Sequence, residues 1–283
     1  MPVVRRYTDA SEFGRCVIPF LSQHEAGNSL PFRIIGSLAA KPGPLPPDIY
    51  LAACLESDRR DAPVLGVALR TPPYNLVLSS PFPDDALTTL LANTAGLAAL
   101  PGVIGPVAEA EAFATGWKAQ TKGTTAVTMR LGTYALERVT PAPEVPGRLR
   151  AAVPADESFA REWIKAFHAE ALPHAPPPSE AVDLRGLYFW EVEGVPVTSV
   201  CARPETPHGA VINAVYTPPA WRRRGYATAA VAAASAVMLE QGLKVCFLFT
   251  DLTNPTSNAI YQRIGYRPLG EFRQIGFTPA AGP

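Results

Sequence analysis

Two short segments hold the side chains whose types and spacing could do chemistry. The first, residues 215–228, reads Val-Tyr-Thr-Pro-Pro-Ala-Trp-Arg-Arg-Arg-Gly-Tyr-Ala-Thr. It is a strand end, a turn, and then Arg222-x-x-Gly225-x-Ala227 opening a helix. A helix start offers unpaired N–H groups and the positive end of its dipole. Gly225 lets the backbone approach closely, Ala227 keeps the wall thin, and Arg222, Arg223 and Arg224 add charge. Such a turn could bind a pyrophosphate. It is neither a P-loop, since no Gly-Lys-Ser/Thr follows, nor a dinucleotide-binding fingerprint, which needs three glycines. Three adjacent arginines also suit an ordinary solvated turn. In the second segment Asn254 can cap a helix whose first residue is Pro255, and Gly265 can end it. On that helix Ser257 and Tyr261 lie four apart and Asn258 and Tyr261 three apart, so the three share one surface. A polar cluster beside the turn suits a ligand cleft; its plain alternative is a surface helix with a half-buried tyrosine.

A fold must bring these segments together, and the flanking sequence indicates which. Residues 140–147, Thr-Pro-Ala-Pro-Glu-Val-Pro-Gly, can continue neither a helix nor a central strand, which places a linker at 141–147. After it come a short strand (148–153) and a helix (156–172) with Phe159, Trp163, Ile164, Phe167 and Leu172 near helical spacing. Residues 173–178 break that helix. Three runs rich in β-branched or aromatic residues, 187–192, 195–202 and 209–216, read as an antiparallel meander. An Ala-rich helix (223–241), an apolar strand (244–250), the helix 254–265 and a last strand (266–276) complete the order. This order predicts an α/β fold, of the α+β kind with a mixed sheet.

Taken in order, these residues closely resemble the GCN5-related N-acetyltransferase (GNAT) family. The specific part of the match covers 213–266, and the order of flanking elements extends it over 148–276. The resemblance implies an acyl-CoA N-acyltransferase-like fold. It also implies transfer of acetyl from acetyl-CoA to a primary amine of a small molecule or peptide, by direct attack in a ternary complex. By the same resemblance, the backbone at Val215, Tyr216 and Thr217 pairs with the pantetheine arm. Arg222, Arg223, Arg224, Gly225, Tyr226, Ala227 and Thr228 hold the pyrophosphate, and Asn254 and Asn258 line the cofactor cleft. Tyr261 becomes the general acid, since a phenol of pKa about 10 can protonate the departing thiolate. The amide of Val215 or Tyr216 supplies the oxyanion donor. The base stays open among Glu191, Glu193 and Asp251, while His208 sits in a turn and looks solvated. Asn213 stands where some members carry an acid and cannot take a proton, so a water relay or a base on another element is implied. The alternative is a non-catalytic acyl-CoA-binding or regulatory module with the same fold; Tyr261 favours the enzyme, and Asn213 the module.

The first half repeats almost the same order. Strands are expected near 3–7, 49–55, 64–70, 75–79 and 124–137, and helices near 12–22, 29–39, 85–100 and 107–115. An offset of 149 residues sets Pro106, Gly116 and Trp117 against Pro255, Gly265 and Tyr266. The chemical positions do not follow: Ala112 meets Tyr261, and Glu109 meets Asn258. At the expected phosphate turn stands Ser80-Pro-Phe-Pro-Asp-Asp85, whose acids would repel a phosphate. The expectation is two GNAT-like domains in tandem, 1–140 degenerate and without the cofactor motif, 148–283 catalytic.

Composition narrows the class further. The 283 residues carry 25 basic and 25 acidic side chains, with 47% hydrophobic and 18% charged, which suits neither a disordered chain nor an electrostatic nucleic-acid binder. The 31 prolines are scattered without a Gly-X-Y period, so collagen is out. Asp9, Glu12 and Arg15 interrupt the N-terminus, so no secretory signal is expected, and the apolar window 225–239 is too short to span a bilayer. Cys16, Cys54, Cys201 and Cys246 form no C-x-x-C pair, which predicts reduced, buried thiols in a cytoplasmic protein. No metal-ligand spacing appears. The partners expected are an amine acceptor and no nucleic acid or membrane; a homodimer is admissible.

Overall fold

A computed structural model describes residues 1–41, 43–97, 100–141, 144–172 and 176–280. Residues 142–143 of the expected linker, 98–99 of an expected helix and 173–175 of the expected break lie outside the described residues. In chain order the first half holds β1 (Val3–Tyr7), α1 (Ala10–Leu21), α2 (Glu25–Ala39), β2 (Tyr50–Leu55), β3 (Val64–Arg70), β4 (Leu76–Leu78), α3 (Asp84–Thr94), β5 (Gly102–Pro106), α4 (Val107–Thr121) and β6 (Thr124–Leu136). The second half holds β7 (Arg148–Ala151), α5 (Glu157–Ala171), β8 (Leu187–Val192), β9 (Val195–Pro204), β10 (Gly209–Tyr216), α6 (Tyr226–Glu240), β11 (Val245–Asp251), α7 (Pro255–Arg263) and β12 (Arg267–Thr278).

The compact units do not divide at the Pro-rich segment. Unit 1 is Met1–Gly132 plus the segment from Gly270 onward, and unit 2 is Thr133–Leu269. The last strand causes the difference: β12 pairs antiparallel with β5, from Phe272 opposite Pro106 to Gly276 opposite Gly102. Its Ile275 and Phe277 enter the core of unit 1, where Phe277 stacks on Trp117 at 4.2 Å. In exchange, Tyr134 and Leu136 at the end of β6 join the core of unit 2.

Unit 1 runs β1-β2-β3-β4-β5-β12 across its sheet. All six residues of β2 are buried, which places it inside a sheet covered on both faces. Tyr50, Ala52 and Cys54 face the core under α3 and α4, whereas Leu51, Ala53 and Leu55 face the core under α1 and α2. Unit 2 runs β11-β10-β9-β8-β7, with the end of β6 beside β11. The predicted meander is present as β8, β9 and β10, antiparallel throughout. Helix α6 lays Ala229, Ala230, Ala234 and Met238 on one face of this sheet. Against the other face α5 sets Ala160, with Phe159 and Trp163 around Phe189. Among the described residues no helix is long and apolar enough to cross a membrane. Cys54, Cys201 and Cys246 are buried and Cys16 is half-buried, and none of the four forms a disulfide among the described residues.

Candidate active site

The site begins where two parallel strands part. β10 and β11 pair only at Gly209 with Val245, Ala210 with Cys246 and Val211 with Phe247, although they run on to Tyr216 and Asp251. β10 is drawn aside by an irregularity against β9: Asn213 opposes Cys201, but the next partners are Tyr216 and Ser199. Ala214 takes a left-handed φ of 48° to make it. Such a conformation is uncommon for a residue with a Cβ, and a bulge of this kind bends and twists its strand. Val215, inside the bulge, has no partner residue on β9. Beyond it the Thr217 hydroxyl lies 2.9 Å from that of Thr198, and the Thr217 carbonyl accepts from Arg222 Nε at 2.8 Å.

Next comes the helix start. After a single 3-10 turn, Pro219–Trp221, Arg223 takes φ 61° and Gly225 φ 83°, and Gly225 caps α6 without a side-chain hydrogen bond. The first-turn amides of Tyr226, Ala227 and Thr228 have no acceptor within the helix. A Cβ on Gly225 would come within 3.0 Å of Val145, so the chain entering β7 packs against this turn. The arginines are not equivalent. Arg222 makes two 2.8 Å bonds to the Glu170 carboxylate on α5, and Arg224 lies over the Trp221 ring at 5.0 Å. Tyr226 and Thr228 are buried. An anion there would meet the Tyr226 backbone rather than its ring.

Helix α7 forms as its capping residues predict. Asn254 Oδ1 accepts from the Ser257 amide at 3.1 Å, Pro255 opens the helix, and Gly265 follows it at φ 106°. Asn258 donates to the carbonyls of Asp251 and Leu252, both at 3.3 Å, tying α7 to the end of β11. Its Oδ1 is buried with no hydrogen-bond partner. Tyr261 is buried in the core with Tyr226 and Tyr266. The two α7-side phenols differ: Tyr266 Oη is 2.9 Å from Ser235 Oγ, whereas the Tyr261 hydroxyl has no hydrogen bond among the described residues. Burial pushes the Tyr261 pKa up to about 12, so it is a phenol, not a phenolate, at neutral pH.

Three of the groups considered as bases are placed away from this chemistry. Glu191 accepts from Arg150 Nε at 2.5 Å and pairs with Arg148 at 3.5 Å. The Arg150 hydrogen bond holds its carboxyl below the usual range, which makes it a poor proton acceptor. Glu193 is an exposed turn residue at φ 50° between β8 and β9. His208 precedes β10, at the end opposite the parting. Asp251, in contrast, ends β11 on the open side. Sequence reasoning missed Ala214, Val145, Thr198 and the Arg222–Glu170 pair, which depend on contacts distant in sequence.

Residues 155–266 match the family profile described as acetyltransferase (GNAT) family. That stretch, 112 of the 283 residues, lies within unit 2. The whole chain is similar in fold to three solved structures. A GCN5-related N-acetyltransferase from Sphaerobacter thermophilus is 17% identical with a TM-score of 0.63, over 99% of this chain and 96% of that one. A Drosophila protein is 13% identical with a TM-score of 0.66, over 99% and 100%. A tandem GNAT protein from the clavulanic acid biosynthesis pathway is 12% identical with a TM-score of 0.54, over 100% of both chains. No curated protein matches the sequence. The fold is two GNAT-like domains in tandem. The residues of unit 2 fit an acyl-CoA: a left-handed glycine before a helix start whose first-turn amides lack intrahelical acceptors, a bulge that leaves Val215 without a partner on β9, and the buried Asn258 oxygen with no hydrogen bond among the described residues.

Unit 1 corrects the residue-by-residue alignment. Pro106 precedes α4, whereas Pro255 is the first residue of α7. Counted from each helix start, the counterpart of Tyr261 is therefore Phe113, not Ala112, and that of Asn258 is Ala110, not Glu109. Burial agrees, since Phe113 and Ala110 are buried and Ala112 is exposed. Gly116 is not a stop, because α4 runs through it to Thr121. A Cβ there would meet Leu91 at 2.2 Å, so Gly116 permits α3 and α4 to pack closely.

Proposed function

We propose that unit 2 transfers an acetyl group from acetyl-CoA to a primary amine of a small molecule or peptide, by direct attack with both substrates bound. One observation carries this reading: a buried phenol, Tyr261, with no hydrogen bond among the described residues, on the helix that follows the parted strands. In it the backbone of Val215, Tyr216 and Thr217 aligns the pantetheine arm. The amides from Arg223 to Ala227, with Thr228 and the arginine charge, hold the pyrophosphate. Asn254 and Asn258 shape the cleft, and the Val215 or Tyr216 amide receives the developing oxyanion. Tyr261 gives its proton to the departing thiolate. An amine attacking a thioester requires no metal.

The test is acetylation of a broad amine panel by wild type and Tyr261→Phe. Turnover that falls in the mutant supports catalysis; absence of turnover and of acetyl-CoA binding refutes the reading. A second reading, a non-catalytic acyl-CoA-binding or regulatory module, is favoured by the amide at Asn213 and by the capture of Glu191 by Arg150. Acetyl-CoA binding without turnover on any amine would select it.

A further inference from the structure

The acceptor side of the parted strands has a definite chemical character. Side chains alternate along a strand, so the residues of β10 and β11 that face α6 identify those that do not. Ala210, Ile212, Cys246 and Leu248 enter the core under α6. Val211, Asn213, Phe247, Phe249 and Asp251 therefore face the side covered by α5. There Trp163 of α5 meets Tyr216 at 6.0 Å between ring centroids, and Ala214 packs into the same cluster. β10 and β11 carry one carboxylate between them, Asp251. The last paired residues are Val211 and Phe247, and Asp251 lies four residues past Phe247 at the end of β11. The carboxylate thus stands beyond the point where the strands part, on the strand next to the one whose backbone is assigned to the thioester carbonyl. Its Oδ1 is held by the Thr253 amide and hydroxyl, each at 2.8 Å, while Oδ2 has no partner among the described residues.

We propose, on the basis of the acetyltransferase reading above, that Asp251 Oδ2 binds and deprotonates the acceptor's ammonium, and that the acceptor carries its primary amine on an apolar or aromatic body. Asp251 takes one proton from R–NH3+. The freed amine lone pair forms the N–C bond to the thioester carbon. The C–S bond then breaks, its electron pair leaving with sulfur, which takes the proton of Tyr261. The second proton lost by the amide nitrogen restores that phenol, and the proton on Asp251 passes to solvent. Trp163 and Tyr216 form an aromatic wall, and the half-buried Phe249 stands on the same face of the sheet; these residues suit an apolar body and offer no second anion to a polyamine.

The experiment uses the full chain, acetyl-CoA, and the amines benzylamine, 2-phenylethylamine, ethylamine, spermidine and O-benzylhydroxylamine, the last being neutral at pH 7. Wild type should acetylate the two aryl amines about tenfold better in kcat/KM than ethylamine or spermidine. Asp251→Asn keeps an oxygen for Thr253 and should bind acetyl-CoA with unchanged Kd by calorimetry. Its kcat/KM for benzylamine should fall about 100-fold or more. For O-benzylhydroxylamine, which needs no deprotonation before attack, the loss should shrink to a few-fold. Asp251→Asn with wild-type kcat/KM, with lost acetyl-CoA binding, or with equal losses on both benzyl acceptors overturns the assignment of Asp251. Spermidine or ethylamine as the better acceptor overturns the apolar class. Wild type that binds acetyl-CoA but acetylates none of these amines, nor any of the broader panel, overturns the underlying reading and this inference with it.

Discussion

In unit 1 the backbone just past the last parallel pair, Val77 with Ile104, is already occupied. Asn28 of α2, fully buried, accepts from the Ser80 amide and donates to its carbonyl, both at 2.8 Å, and donates also to Leu21 O at 3.2 Å. A side chain thus does for Ser80 what a neighbouring strand would do. In unit 2 the equivalent stretch is bulged, and Val215 has no partner on β9. The helix starts differ likewise, Asp84 and Asp85 in the first turn of α3 against a bare Gly225 cap before α6. So do the seventh residues of the following helices, Phe113 and Tyr261. One sheet geometry can therefore close on itself or stay open to a ligand, depending on whether the chain supplies its own hydrogen-bond partner.

Five substitutions would break or sharpen this contrast. Tyr261→Phe gives α7 the residue found in α4, and acetyl transfer should fall about 10²- to 10⁴-fold while acetyl-CoA affinity by calorimetry barely moves. Asn28→Ala should lower stability by about 2–4 kcal/mol in urea unfolding, because buried groups of Ser80 and Leu21 lose their partners. The variant should still bind one acetyl-CoA per chain; a second site would mean that Asn28 alone separates the units. Gly225→Ala forces a left-handed conformation costing roughly 1–2 kcal/mol and pushes a Cβ at Val145. Acetyl-CoA should then bind about tenfold more weakly, whereas Pro83→Ala at the α3 start should leave binding unchanged. The smallest effect is expected at Glu191→Gln, with turnover within about twofold of wild type; a loss as large as that of Tyr261→Phe would return Glu191 to the chemistry.

Acid sensitivity offers a control outside the cleft. Arg150 holds Asp156 through bonds of 2.6 and 3.0 Å and Glu191 through one of 2.5 Å, and these bonds lower both carboxyl pKa values. Groups depressed in this way stabilise the fold above the ordinary carboxylate range and lose that contribution as pH falls through their lowered values. Asp156→Asn should accordingly flatten the acid limb of thermal stability without altering acetyl-CoA binding at neutral pH.

Local chemistry was legible in the sequence. Strands β1, β3, β8 and β10 fall at the predicted residues, because turns and alternating residues bound them. Gly225 and Asn254 sit where capping rules place them, since caps depend on a few consecutive residues. What stayed hidden depends on distant partners. An alanine with positive φ has no sequence signature, so the bulge at Ala214 could not be seen. Gly116 looked like a helix stop because its neighbour Leu91 is 25 residues away in the chain. Arg222 looked like an anion ligand because Glu170, its bidentate partner, is 52 residues distant. The register between α4 and α7 slipped by one for the same kind of reason: only burial distinguishes Phe113 from Ala112.

The placement of β12 bears on synthesis. Residues 272–276 hydrogen-bond beside β5, yet a ribosome makes them after every strand of unit 2. During translation the edge of β5 remains without this partner, and Trp117 and Phe113 without the Phe277 ring that stacks on them. The half that emerges first is thus the half that finishes last, the reverse of the usual N-to-C order of domain folding. A nonsense codon directly after that for Leu269 would leave the codon for Tyr261 intact while removing a strand from the unit that lacks that phenol.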